Sequence, residues 1–210
     1  MKKKVASPAQ VFFSQHGFAL TIVLIVTTLG IIGSDVSLWL RYDRTAIMAG
    51  EYWRILTGHF VHLTWMHLLM NLIGFLLIWI LFGKLISPLT WMIIVILSSV
   101  MISFALLNFN PDLFWYVGFS GVLHCLFVVG CLHDMQVRRT DGQLLFLAII
   151  AKLAWEQYAG PLPGSEAAAG GNVIVDAHLY GAISGVILVT ILLLIPAHKI
   201  NQPPMTRSKP

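Results

Sequence analysis

The sequence predicts an all-α integral membrane protein built from six transmembrane helices, and three observations lead there. Of 210 residues, 58% are hydrophobic and only 10% charged, against roughly 25% charged in an average soluble domain. Thirteen Lys and Arg with nine Asp and Glu cannot clothe a soluble core of this size. Six apolar stretches follow one another, all but the fourth close to the ~20 helical residues that cross a ~30 Å hydrocarbon core.

The first stretch runs from about His16 to Gly33. Met1-Lys-Lys-Lys precedes it like the start of a signal peptide, but no small-residue cleavage site follows, so a retained helix is expected. The loop from Ser34 to Val61 carries Trp39, Tyr42, Tyr52 and Trp53 and is expected in the outer interface, where amphipathic rings favour the headgroup level. The second and third helices are expected at about Leu63 to Leu85 and Pro88 to Leu107. The fourth, about Ser120 to His133, is short: fourteen residues at ~1.5 Å each span only ~21 Å. Its outer end must lie below the membrane surface, and the loop from Asn108 to Phe119 must dip in behind it, against protein or a water-filled cavity. The fifth, about Gly142 to Tyr158, carries Lys152 and Glu156. Gly160 to Gly171 reads as a flexible outer loop, and the sixth helix runs from about Ala177 to Ala197. Nothing repeats internally.

The formal charge of +4 and pI near 9.2 do not signal nucleic acid, because the basic residues sit in short clusters between apolar runs. They read as topology signals. With the N-terminus inside, nine of the thirteen fall on the cytoplasmic side: Lys2, Lys3, Lys4, Lys84, Arg138, Arg139, Lys199, Arg207 and Lys209. Arg41, Arg44 and Arg54 lie outside, and both termini are expected to be cytoplasmic. The organisation is thus a cytoplasmic N-terminal segment over 1–15, a six-helix domain over 16–198 and a cytoplasmic tail over 199–210. Cys125 and Cys131, six apart on one helix, point in different directions and cannot bridge each other.

Chemistry concentrates in three places. Gly118-Phe-Ser120-Gly121 sets a serine at a loop-to-helix junction, where glycines let a substrate backbone approach and free N–H groups of the first turn face any developing charge. Alone the tetrapeptide is a weak signal, since a helical serine usually bonds the carbonyl four residues back. Ala177-His178-Leu-Tyr-Gly181 puts an imidazole at the start of the sixth helix, on the same outer side. Gly181 and Gly185 form a small-xxx-small stripe that allows close helix approach, which would bring His178 within hydrogen-bond reach of Ser120. His67 and Asn71, spaced i, i+4 on the second helix, share one face; with the Ser120 N–H they could form an oxyanion hole, or simply tie helices together.

Gly50-Glu-Tyr-Trp-Arg54, His62-Leu-Thr-Trp-Met-His67-Leu-Leu-Met-Asn71, Gly118-Phe-Ser120-Gly121 and Ala177-His178-x-x-Gly181-x-x-x-Gly185 resemble the signatures of the rhomboid intramembrane proteases, in the family's order and over most of the chain. Ser120-Gly-Val-Leu-His124, Lys152-Leu-Ala-Trp-Glu156-Gln and Val175-Asp-Ala-His178 resemble the rhombosortase branch more narrowly. The resemblance implies a six-helix rhomboid-like bundle and a serine endopeptidase with a Ser120–His178 dyad. It implies an oxyanion hole of His67, Asn71 and the Ser120 N–H, and a site lined by Gly118, Gly121, His124 and Gly181. His124 stands where rhomboids often carry a tyrosine that packs on the catalytic histidine. No cofactor and no metal are implied. The branch further implies a bacterial inner membrane, a site opening to the periplasm, and substrates whose C-terminal tail joins Gly-Gly, a hydrophobic helix and a basic end.

Asp176, two residues from His178, points to nearly the opposite side of its helix and is left out of the dyad. Lys152 and Glu156, i, i+4, read as an intrahelical pair facing the bundle with a structural role. A metal hydrolase is the first rival, given His59, His62, His67, His124 and His178, but H-E-x-x-H is absent and no carboxylate is placed near them. The second is a catalytically inactive rhomboid-like protein that binds and sorts transmembrane clients; such relatives usually lack the serine or the histidine, and both are present. An outward cavity lined by His178, His124 and Asn71 is expected, because hydrolysis below the membrane surface needs water.

Overall fold

The computed structural model describes residues 7–136 and 140–194. Lys2, Lys3, Lys4, Arg138, Arg139, Lys199, Arg207 and Lys209, and with them the expected tail over 199–210, lie outside the described residues. Among the described residues the regular structure is helical apart from two short strands.

Helix α1 (Pro8–Ile32) opens the bundle, eight residues ahead of the expected start, so residues 8–15 join the helix instead of preceding it. The following stretch is no plain loop. It folds into α2 (Ser34–Leu40), strand β1 (Tyr42–Asp43), α3 (Arg44–Met48) and α4 (Arg54–Thr57). Asp43 caps α3 by accepting the Ala46 N–H, which satisfies one of the orphan donors of a helix start. Arg54, 8% exposed, ties this region together through Glu51 and the carbonyls of Leu38 and Arg41. Trp39, Tyr52 and Trp53 are exposed as an interfacial belt requires, but Tyr42 is fully buried, because its strand pairs inward.

Three long helices complete the apolar frame: α5 (Trp65–Phe82), α6 (Pro88–Phe109) and α10 (Val175–Leu194). With α1 they are the four described helices long and apolar enough to cross a membrane. Their outward faces suit lipid: Leu24, Ile80 and Phe104 are 68%, 77% and 65% exposed, a surface that water would not tolerate at this extent. Ser87 caps α6 by accepting the Thr90 N–H, with Pro88 at the first helical position. At the other end Arg44 bonds the Leu106, Leu107 and Asn110 carbonyls, a cation where the helix dipole is negative.

Strand β2 (Trp115–Tyr116) pairs antiparallel with β1, Tyr42 opposite Tyr116. The Gly118 N–H donates to the Gly58 carbonyl. Two segments far apart in sequence thereby form the floor on which α7 (Ser120–Gln136) begins.

Helix α7 lies at the centre, touching α5, α6, α10 and α8 (Thr140–Ala159). It runs three residues beyond the expected end, yet its 17 residues span only ~25 Å, still short of the ~30 Å core. Its seam with α10 is glycine-lined. A Cβ on Gly181 would fall on the Gly121 carbonyl oxygen, and one on Gly185 would lie 2.8 Å from the Cys125 oxygen. Backbone therefore meets backbone, which is how helices associate when lipid removes the hydrophobic drive. The stretch over 160–171 contains a further short helix, α9 (Ser165–Ala169). Its Ala169 carbonyl accepts from Thr64 Oγ.

Candidate active site

Ser120 is the first residue of α7, delivered there by a left-handed Gly118 with φ of 121°. A side chain at 118 would be strained and would collide with the His67 ring, 2.8 Å from its Cε1 and Nε2. His178 sits in the first turn of α10. The close seam at Gly121 and Gly181 brings the two helices together there, and Ser120 Oγ lies 2.9 Å from His178 Nε2. That is hydrogen-bond distance for a nucleophile and its base.

Opposite this pair, Thr64 caps α5 by accepting the His67 N–H, which fixes His67 in the first turn. The Leu63 N–H points at His67 Nδ1 at 3.5 Å; a nitrogen that accepts leaves its proton on Nε2, the atom turned toward Gly118 and the cavity. Asn71, one turn on, donates one amide hydrogen to the His67 carbonyl at 2.9 Å and keeps a second. Ser120, His178, His67 and Asn71 all border one cavity of about 410 Å³, walled otherwise by residues such as Met70, Leu123, Trp115, Val173 and Ile174.

The expected lining is only partly met. Asn71 and His178 reach the cavity, whereas His124 stands behind His178, its ring stacked at 4.2 Å and 15°. Gly121 and Gly181 lie in the helix seam instead of the cavity wall, because their missing side chains are filled by the facing backbone. Gly118 abuts the His67 ring, and its carbonyl accepts from the buried Tyr116 hydroxyl at 2.7 Å.

Asp176 turns away, held by Asn110, which also accepts from Tyr180. Both cysteines are free and buried. His59 is fully enclosed, donating to Ser103 Oγ at 2.9 Å, while that hydroxyl donates to the Ile55 carbonyl. Burial pushes its imidazole down to about 4.

Lys152 and Glu156 form the expected pair, Nζ to Oε2 at 2.6 Å, but they do more. Glu156 Oε2 is 2.9 Å from His178 Nδ1, and Lys152 Nζ is 2.7 Å from His124 Nε2. A carboxylate therefore does stand near the histidines, contrary to the sequence expectation. The polar atoms of His124, Glu156 and His178 lie within 4.8 Å of one another, a spacing that could surround a cation, and the Lys152 ammonium stands among them. The signal in the sequence is the carboxylate itself: a glutamate in an apolar helix is costly without a partner, and Lys152 supplies one without excluding a second.

A rhomboid domain model matches residues 49–195, more than half of the chain, from the segment before α4 through α10. The chain belongs to the rhomboid family. No curated protein matches it at a significant level. Rhomboids are typically intramembrane serine proteases.

Proposed function

We propose that this rhomboid is an active intramembrane serine endopeptidase, with Ser120 as nucleophile and His178 as base. The observation that carries the reading is the 2.9 Å contact between Ser120 Oγ and His178 Nε2 at the edge of a cavity. His178 takes the hydroxyl proton as Oγ attacks the scissile carbonyl, then returns it to the departing amine as the C–N bond breaks. Water, deprotonated by the same imidazole, releases the acyl group and restores Ser120. The His67 Nε2–H, the free Asn71 amide hydrogen and the Ser120 N–H stabilise the oxyanion in both stages.

In this reading α7 and α8 complete six membrane-crossing helices. The Lys and Arg distribution sets both termini in the cytoplasm and opens the cavity to the periplasm of a bacterial inner membrane. Substrates are membrane proteins whose C-terminal tail joins Gly-Gly, a hydrophobic helix and a basic end. Glycines suit the site, because an extended backbone without side chains can lie close to Ser120 at the start of α7.

The test is co-expression with a reporter bearing such a tail, comparing wild type with Ser120→Ala and His178→Ala by reporter size. Shortening lost in both variants is expected. An uncut tail beside a cleaved generic rhomboid substrate would discard the narrower specificity, and cleavage indifferent to both substitutions would sink the catalytic assignment.

A further inference from the structure

A Ser–His dyad needs no carboxylate, yet Glu156 stands on the far side of the His178 ring. It is only 3% exposed, on α8, and its Oε2 lies between Lys152 Nζ and His178 Nδ1 at 2.6 and 2.9 Å. The i, i+4 pair with Lys152 would be complete on any face of α8. Here α8 turns it toward α7 and α10, directly behind the proposed base.

The protons in this cluster can be assigned by donor and acceptor. His124 Nδ1 is 2.7 Å from the Ser120 carbonyl oxygen, which can only accept, so Nδ1 carries the proton. His124 Nε2 is then a lone pair, and it accepts from Lys152 at 2.7 Å. The ammonium thus donates to His124 on one side and to Glu156 on the other.

His178 Nδ1 faces two neighbours with opposite demands. Lys152 Nζ, at 3.1 Å, can only donate; ionised Glu156, at 2.9 Å, can only accept. If Nδ1 accepted from the lysine, the ring proton would sit on Nε2 and Ser120 would have no base. If Nδ1 donates to the glutamate, Nε2 presents its lone pair to Ser120 Oγ. The carboxylate is the nearer, and Lys152 already has two acceptors.

Resting on the serine-protease reading, we propose that Glu156 is a positioning residue that holds His178 in the base-competent tautomer, with Lys152 keeping the carboxylate ionised and in place. As His178 takes the serine proton, the imidazolium forms beside an opposite charge already fixed within the bundle.

The test uses full-length protein in detergent and a fluorophosphonate probe, which reacts with an activated serine and requires no known substrate. Glu156→Gln keeps the shape and removes the charge; Glu156→Asp keeps the charge and shortens the reach. The inference expects the maximal labelling rate of Glu156→Gln to fall about 10²-fold or more with the probe's half-saturating concentration within about twofold, and Glu156→Asp to recover at least about tenfold of that loss. A packing role predicts the reverse order, with the isosteric Gln near wild type and Asp the poorer. Lys152→Met/Glu156→Gln removes both buried charges together, which preserves folding better than stranding one. It is expected to label as slowly as Glu156→Gln, and it decides the matter should the single variant fail to fold. Labelling of Glu156→Gln, or of the double variant in its place, at the wild-type rate overturns this inference and leaves the protease reading intact. A wild-type protein that the probe never modifies overturns that reading, and this inference with it.

Discussion

Replacing Gly121 by alanine adds one methyl group at the point where the proposed nucleophile and base are brought together. The new Cβ would lie 2.8 Å from the Ala177 carbonyl oxygen of α10 and 3.3 Å from Ile102 Cδ1 of α6. A carbon and a carbonyl oxygen rest comfortably at about 3.3 Å or more, so α7 and α10 must part by about 0.5 Å there. Ser120 precedes Gly121 and His178 follows Ala177, so the separation falls directly on their 2.9 Å contact and stretches it to the edge of hydrogen bonding. Overpacking of this kind costs about 1–3 kcal/mol in stability, and misplacing reacting groups costs roughly 10- to 10²-fold in rate. The assay is fluorophosphonate labelling of Ser120, run beside thermal melting in detergent. Gly185→Ala is the control: its Cβ meets the Cys125 oxygen at the same 2.8 Å but about two turns of α10 away from His178, so a similar loss of melting temperature should accompany a smaller loss of labelling. Wild-type labelling in Gly121→Ala, or an equal rate loss in both variants, would refute the claim that this seam sets the geometry of the pair.

Three more predictions follow from the structure. His67→Ala and Asn71→Ala should each lower the turnover of reporter cleavage about 10²-fold with little change in KM, since in the proposed reading their donors act on the oxyanion; a loss in KM alone would assign them to substrate binding. His59 is fully buried and held down to about 4, against an ordinary 6.5. Between those values the unfolded chain takes up a proton that the folded chain refuses, so stability is flat above pH 6.5 and falls by up to about 3 kcal/mol toward pH 4; melting in detergent across that window should show the slope, and His59→Gln should reduce it. Arg54→Ala should destabilise the protein by about 2–3 kcal/mol, because Glu51 and the carbonyls of Leu38 and Arg41 lose their donor; an unchanged melting temperature would contradict this.

Much of this was legible because lipid simplifies the code. Long apolar runs located every long helix, and the few polar residues inside them had to serve some purpose, which singled out Ser120, His178, His67 and Asn71. The helix ends were less legible. The expected start at His16 left out Pro8 to Gln15, which α1 includes although Gln10, Ser14 and Gln15 interrupt the apolar run there. Tyr42 was misplaced because an aromatic at the interface and one drawn inward by a two-residue strand look alike until the partner strand, some seventy residues on, is known. The pair was expected to face the bundle, but whether Glu156 meets His178 there depends on how α8 packs against α10, which is nearly twenty residues further along the chain. Lys152 accounted for the charge of Glu156, and that sufficiency hid the second contact.

Chain order gives the glycine seam one more consequence. The serine arrives on α7, the carboxylate on α8 and the imidazole only on α10, the last described helix. Until α10 has docked its glycines against α7, His178 is not beside the hydroxyl at 120. In the proposed reading, the order of synthesis thus delays the pairing of nucleophile and base until the last described helix is in place.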